Sequence, residues 1–387
     1  MKNGQRSVVI SDPHLFHPFR RFGGYQYAQV FARYGWRVIL LSASFTFWRT
    51  LARNPGIGLD YVQLWRSRGR RIEENLTNYG LSHWLPRRVR FAWPFRRFAH
   101  ALYVPGLPAI LRREGMEQVD LLWLHGNEDW LYRRAVPHRK LVVRVFDNYS
   151  GFAMGYRNDH PLMRETLAAA DGVFTCTQYV RDLYRGLRPD ITVIPNGVDF
   201  ERFRHAAAPE PPFLAAIPRP RAVYVGAVAA WFDLDLVLAL ARRLPTVQFV
   251  VAGPWSRRMP PLSACPVNLH LPGPLPYDSI PALLAGCDVG LVPFSDNDLV
   301  RGVSPIKVYE YLAAGLPTVS SYWRELESES LPIALARDLD GFVAGVEAAL
   351  GTPAAAKDAL RDYARRCSWE QRLREMLNKV GVPLADG

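Results

Sequence analysis

Short, continuous apolar runs recur along the chain with helix-periodic stretches between them: SVVIS (7–11), WRVILLS (36–42), DLLWL (120–124), LVVRVF (141–146), GVFTC (172–176) and ITVIP (191–195). That alternation predicts a parallel sheet with crossover helices. A segment rich in Pro and Ala, RHAAAPEPPFLAAIPRPR (204–221), breaks the pattern and reads as a linker. The alternation then restarts with AVYVGAV (222–228), VQFVVAG (247–253), VNLHL (267–271), DVGLVPF (288–294) and PTVSS (317–321). The predicted class is α/β, with two doubly wound Rossmann-like domains facing a central cleft. The first covers 1–203 and the second 222–366, followed by a terminal helix over about 367–380.

One stretch, GVSPIKVYEYLAAGLPTVSS (302–321), carries candidate chemistry. A helix is predicted over 305–314: Ser304 caps its start, Pro305 suits the first position, and Gly315 with Pro317 stops it. Its N-terminus falls at the carboxyl end of the preceding strand, where open α/β sheets hold ligands. Lys307 lies in the first turn, which disfavours a cation by a few tenths to ~1 kcal/mol unless an anion joins it. An anionic ligand resolves this conflict; a solvated pair with Glu310, three residues on, resolves it without one. Glu310, one turn behind an anion site, could accept two hydrogen bonds from a ribose diol. Gly23 and Gly24 precede an amphipathic helix with Tyr27, Val30, Phe31 and Tyr34 at helical spacing, and would let backbone amides approach a bulky ligand. Gly226 and Gly253 end apolar runs at the equivalent edge of the second domain.

At 387 residues, with 49% hydrophobic and 22% charged residues, the chain suits a soluble two-domain protein. Cys176, Cys265, Cys287 and Cys367 show no CxxC spacing and fit reduced thiols in the cytosol. SVVIS is too short for the core of a signal peptide. The net charge of +12 is concentrated in residues 64–115, where arginines interleave with Trp65, Trp84, Phe91, Trp93, Phe95, Phe98 and Tyr103. Rings at the headgroup level and arginines on phosphates suit an anionic membrane surface. A basic surface with the aromatics in the core is the plainer alternative. Nucleic acid would attract the same charge, but no C2H2 spacing or RNP-type motif accompanies it, and it is not expected as a partner.

Metal chemistry finds little support. The pair Asp12 and His14, with HGNED (125–129), evokes a metallophosphatase, yet the chain lacks the further ligands that two metals need. The DND of 296–298 reads as solvated loop acids, and no metal or other cofactor is expected.

Taken together, these motifs resemble the GT-B nucleotide-sugar glycosyltransferases, in particular their family 4-like branch. FGGYQYAQVFARYGWRVILLS resembles the family's N-terminal glycine loop and helix, VIPNGVDFERF (193–203) the segment before its linker, and SPIKVYEYLAAGLPTV its donor-binding helix. CSWEQRLREML (367–377) is similar to the C-terminal helix that crosses back to the first domain. The resemblance implies that Lys307 partners the donor's phosphates, with amides near Ser304, and that Glu310 partners ribose or sugar hydroxyls. It also implies that Gly226 lets the pyrophosphate come close and that LPGPLPY (271–277) borders the nucleobase. Arg301 could meet a phosphate or an acidic sugar. Where the family often carries a glutamate eight residues before the position of Glu310, this chain has Gly302. KLVVRVFDNYSGF (140–152) is similar to the xanthan-type glucuronosyltransferases, which places Asp147 as catalytic base, and the resemblance to family 4-like enzymes places His125, in LLWLHGNEDW, beside the transferred sugar. The implied activity is metal-independent transfer from a nucleotide diphosphate sugar, UDP favoured and a uronate among the candidates. The implied acceptor is lipid-linked or membrane-associated, at the inner face of the cytoplasmic membrane, in polysaccharide or cell-envelope synthesis. The rival readings are a GT-B epimerase and a membrane-docking module without catalysis.

Overall fold

The computed structural model describes residues 5–12, 23–42, 44–46, 55–85, 89, 98–125, 129–146, 161–205, 209–256 and 261–385. The chain forms two compact units. One holds the described residues up to Ile194 together with those from Leu373 onward; the other runs from Pro195 to Arg372. The change of unit therefore falls before the Pro/Ala-rich segment, whose Arg221 is already the first residue of a strand.

The first unit contains β1 (Ser7–Asp12), β2 (Arg37–Ser42), β3 (Phe45–Thr46), β4 (Arg70–Glu73), β5 (Leu76–Tyr79), β6 (Ser82–His83), β7 (Val119–Leu124), β8 (His138–Val145), β9 (Gly172–Thr175) and β10 (Thr192–Val193). Eight of these make a sheet in the order β10-β9-β8-β7-β1-β2-β5-β4, and β3 pairs with β6 apart from it. All pairs in the large sheet are parallel except β4 with β5. The chain reverses its direction of travel across the sheet between β1 and β7, the topological switch point. Val9, Leu122, Leu124, Leu141, Val143 and Val145 line one buried face. The C-terminal residues belong to this unit: Trp36 Nε1 donates to the Leu384 carbonyl at 2.7 Å, and Arg374 to the Tyr34 hydroxyl at 2.6 Å.

The second unit has β11 (Arg221–Val225), β12 (Gln248–Ala252), β13 (Leu269–Gly273), β14 (Val289–Val292), β15 (Thr318–Ser321) and β16 (Ala334–Ala336), all parallel, in the order β13-β12-β11-β14-β15-β16. Its switch point lies between β11 and β14. Both faces are packed, one around Val223, Val250 and Tyr309, the other around Tyr224, Val251 and Phe249. Strands buried on both faces read as unbroken apolar runs, which is why these were visible in the sequence.

Candidate functional site

In the second unit the helix Ile306–Ala314 begins where the loop after β14 returns to the sheet, beside the switch point. Tyr311, on its inner face, holds it there: its hydroxyl oxygen accepts the Val225 amide of β11 at 2.8 Å. Gly315, at φ 73°, closes the helix in the left-handed conformation that glycine adopts freely. Its start differs from the expected one. Pro305 is the capping residue, and Ser304 turns inward: its hydroxyl accepts the Asn196 amide at 3.1 Å and its carbonyl accepts the Asn196 side chain at 2.7 Å. Ser304 is thus buried by a contact with the chain entering this unit, so it does not cap the helix.

Lys307 and Glu310 form an ion pair of 2.8 Å. The pair is not the solvated one the spacing allowed, because Glu310 is only 1% exposed. Its two oxygens are divided: Oε2 accepts from Lys307 Nζ, and Oε1 accepts from the Tyr277 hydroxyl at 3.0 Å. Tyr277 opens a short turn just after LPGPLP, inside the segment assigned to the nucleobase border. Burial, then the Glu310 charge, raises its phenol well above the ordinary value, so it remains a proton donor at neutral pH. The lysine keeps about a quarter of its side chain exposed, at 26%, and can turn toward a ligand without leaving its carboxylate.

The remaining donor-side residues fall nearby in sequence order. The amide of Gly226, just past β11, donates to the Ala252 carbonyl, and a Cβ on Gly253 would sit 1.9 Å from the Gly226 oxygen. The glycines here let the ends of two adjacent strands touch. Arg301 is half-exposed and forks between Asp296, at 3.0 Å, and Asp298, at 3.1 Å. Those are the acids of the DND segment, and arginine is their partner. Among the described residues no three His, Cys, Asp or Glu side chains gather as ion ligands.

In the first unit, the carboxyl ends of adjacent strands carry a buried polar row that sequence reading mostly missed. Asp12 of β1 is level with Ser42 of β2, and Ser42 donates to Asn78 of β5 at 3.0 Å. His125 follows β7 and Arg144 lies in β8, one register step beyond the Leu124–Val143 pair. All five are buried. The helix Gly23–Arg33 starts against this row. The Asp12 carboxylate accepts the Tyr25 amide at 3.2 Å, and a Cβ on Gly24 would meet that oxygen at 2.3 Å. What Gly24 admits at the helix start is therefore the chain's own Asp12. Gly23 begins the helix. His125 is 1% exposed; its Nδ1 faces the Ser11 carbonyl at 2.6 Å, which fixes Nδ1 as the protonated nitrogen. The Arg144 guanidinium stacks over Tyr27 at 5.4 Å. A charged residue inside the run LVVRVF was the signal for Arg144. Asp147 lies outside the described residues, two positions past β8.

The basic aromatic segment divides. Tyr103 is core, Trp65 is half-buried and donates to the Val104 carbonyl, and Phe91, Trp93 and Phe95 lie outside the described residues. Trp84, at 61%, and Phe98, at 68%, are exposed with Leu102 and Val104.

Comparison with known proteins follows this geometry. The family model described as Glycosyltransferase Family 4 matches residues 25–202, and one described as Glycosyl transferase-like matches residues 234–378. Sucrose-phosphate synthase from Thermosynechococcus elongatus is similar over 97% of this chain and 98% of its own, at TM-score 0.64 and 14% identity. The Anabaena protein HepE, solved with UDP and glucose, is similar over 97% of this chain and 100% of its own, at TM-score 0.59 and 12% identity. These likenesses establish a GT-B fold. The chain belongs to the GT-B glycosyltransferases, in their family 4-like branch. A Bacillus subtilis (strain 168) protein named as a teichuronic acid biosynthesis glycosyltransferase, TuaH, is 24% identical over 207 residues, 50% of this chain and 52% of the relative. The chain thus spans about half the length of the curated relative it matches.

Proposed function

We propose that this protein moves a sugar from a nucleotide diphosphate sugar, UDP-linked, to a lipid-linked or membrane-associated acceptor in cell-envelope polysaccharide synthesis. The observation that carries the reading is the part-buried Lys307–Glu310 pair, its carboxylate enclosed, at the first turn of a helix beside a switch point. A diphosphate there would meet both the lysine and the helix's positive end, while Glu310 takes ribose hydroxyls. The amides after Ser304 and the close backbone at Gly226 would face the phosphates. Arg301 would exchange Asp296 for a phosphate or an acidic sugar. The UDP in HepE and the teichuronic acid in the relative's name are in line with this choice of donor and of pathway class.

In the first unit Asp147 would serve as base for the acceptor hydroxyl. His125, held by Ser11 through Nδ1, would act through shape and a fixed proton, not as the base. The exposed Trp84, Phe98, Leu102 and Val104 stand with exposed Arg66, Arg68, Arg70 and Arg71 in the same segment. They would rest on an anionic membrane. No helix among the described residues is long and apolar enough to cross one.

Turnover with UDP-sugars and a lipid extract as acceptor tests the reading. Asp147→Asn is expected to lower UDP release by at least about 100-fold, with UDP binding retained. Unchanged release would remove Asp147 from the mechanism.

A further inference from the structure

Glu310 is held by two donors from its own chain, one on each oxygen, and the Lys307 bond is the one already accounted for by a phosphate-binding role. The other donor, Tyr277, comes from a different element. Its ring is fixed on two sides: the Phe203 ring meets it edge-on at 5.8 Å, and the Arg202 guanidinium, itself tied to Asp199 and Asp278, lies over it at 5.6 Å. The phenol that this mount holds in place donates its proton to the Glu310 carboxylate.

The geometry bears on what the carboxylate can do. A carboxylate offers about four lone-pair sites. With one used on each oxygen, one remains on each; both lie in the carboxylate plane, so where the two point together is set by how firmly that plane is held. The terminal torsion of glutamate is broad and soft, so one bond to a lysine on a flexible stem does not fix it. A second bond, from a clamped phenol to the other oxygen, does. Two parallel acceptors side by side match two vicinal hydroxyls that both donate.

We propose that Tyr277 is a positioning residue that locks the plane of Glu310, so that both oxygens together read the 2′,3′-cis-diol of a nucleoside diphosphate. This rests on the donor-site reading above. Without the Tyr277 hydroxyl the carboxylate turns toward Lys307 and accepts one ribose hydroxyl at a time. The ligand's diphosphate is then still held, while the reading of the diol is lost.

The test compares UDP with 2′-deoxy-UDP by calorimetric titration, in the wild type, Tyr277→Phe, Glu310→Gln and the double variant. The wild type is expected to prefer UDP by about tenfold, the size of one hydrogen bond to a charged group. Tyr277→Phe should cut that preference to about twofold while 2′-deoxy-UDP binding changes less than threefold. In the Glu310→Gln background the same change should have no further effect on the preference, because the two residues act as a unit. A Tyr277→Phe protein that keeps the tenfold preference, with both ligands weakened equally or not at all, would show the tyrosine to be packing only and overturn the proposal. A wild type that binds UDP well but does not distinguish the two forms overturns the diol contact and the proposal with it. A wild type that binds no diphosphate overturns the donor-site reading itself, a separate failure. Should Tyr277→Phe not fold, Tyr277→His, which keeps a ring and a donor, is read instead: it must retain more of the preference than Tyr277→Leu, and equal loss in both counts against the role.

Discussion

At the scale of single residues, the conflict of a lysine at a helix start is answered inside the chain before any ligand arrives. Glu310 neutralises Lys307, and burial makes the pairing firm, since a buried carboxylate must keep its donors. The same logic applies in the first unit, where Asp12 is the anion at the start of the Gly23–Arg33 helix. Gly24→Ala would drive a methyl into that carboxylate and is expected to cost roughly 1–3 kcal/mol, read from urea midpoints. In an Asp12→Ala background the added cost should shrink, because the obstructing oxygens are gone; a full additive loss would contradict the contact. Lys307, Glu310 and Gly315 were legible from spacing and helix rules. Tyr277 was not, because nothing in LPGPLPY says which side chain its turn will bury. Nor was Ser304's inward turn, since its partner Asn196 is 108 residues away.

At the scale of elements, the Ile306–Ala314 helix is anchored on its far side as well. Tyr309 donates to the Glu329 carboxyl, and Ser304 lies 3.3 Å from the same phenol. The other carboxyl oxygen, Glu329 Oε1, is buried with no partner, although the residue as a whole is partly exposed. Burial pushes this acid up to about 7, against the Tyr309 bond and the Arg372 charge, which pull it down. A raised acid binds its proton more tightly in the folded state. Its burial is therefore tolerated fully below pH about 4.5, and stability is lost as pH climbs through about 7, by up to roughly 3 kcal/mol. Glu329→Gln should gain on the wild type between pH about 4.5 and about 7 in denaturant melts and hold a level advantage from there to pH 8. A constant difference across that range would contradict the assignment. Nothing in the sequence ELESES separates Glu325 and Glu329, which packing encloses, from the exposed Glu327. The β4–β5 hairpin was hidden for a similar reason: RRIE and LTNY hold no continuous apolar run, and pair at the sheet's edge where none is needed.

At the scale of the whole molecule, two sheets with a central switch point explain why chemistry gathers at the carboxyl ends of β1, β7, β11 and β14. That order was legible because parallel strands buried on both faces leave long apolar signatures. The charge of +12 belongs to this scale too. Sedimentation with anionic vesicles, and not with neutral ones, is expected, weakening as salt rises above about 0.15 M; a Trp84→Ala, Phe98→Ala variant should lose most of it. Equal sedimentation with both vesicle types would speak against an electrostatic membrane contact.

The most direct test of the central claim, a nucleotide diphosphate site built on Lys307 and Glu310, is a thermal-shift panel of UDP, GDP, ADP and dTDP. The account predicts that UDP raises the melting temperature of the wild type by several degrees at 1 mM or so, and that Lys307→Ala abolishes the rise, the ligand-free variant itself melting lower because the buried Glu310 has lost a donor. Stabilisation that persists undiminished in Lys307→Ala, or none from any diphosphate, would contradict it.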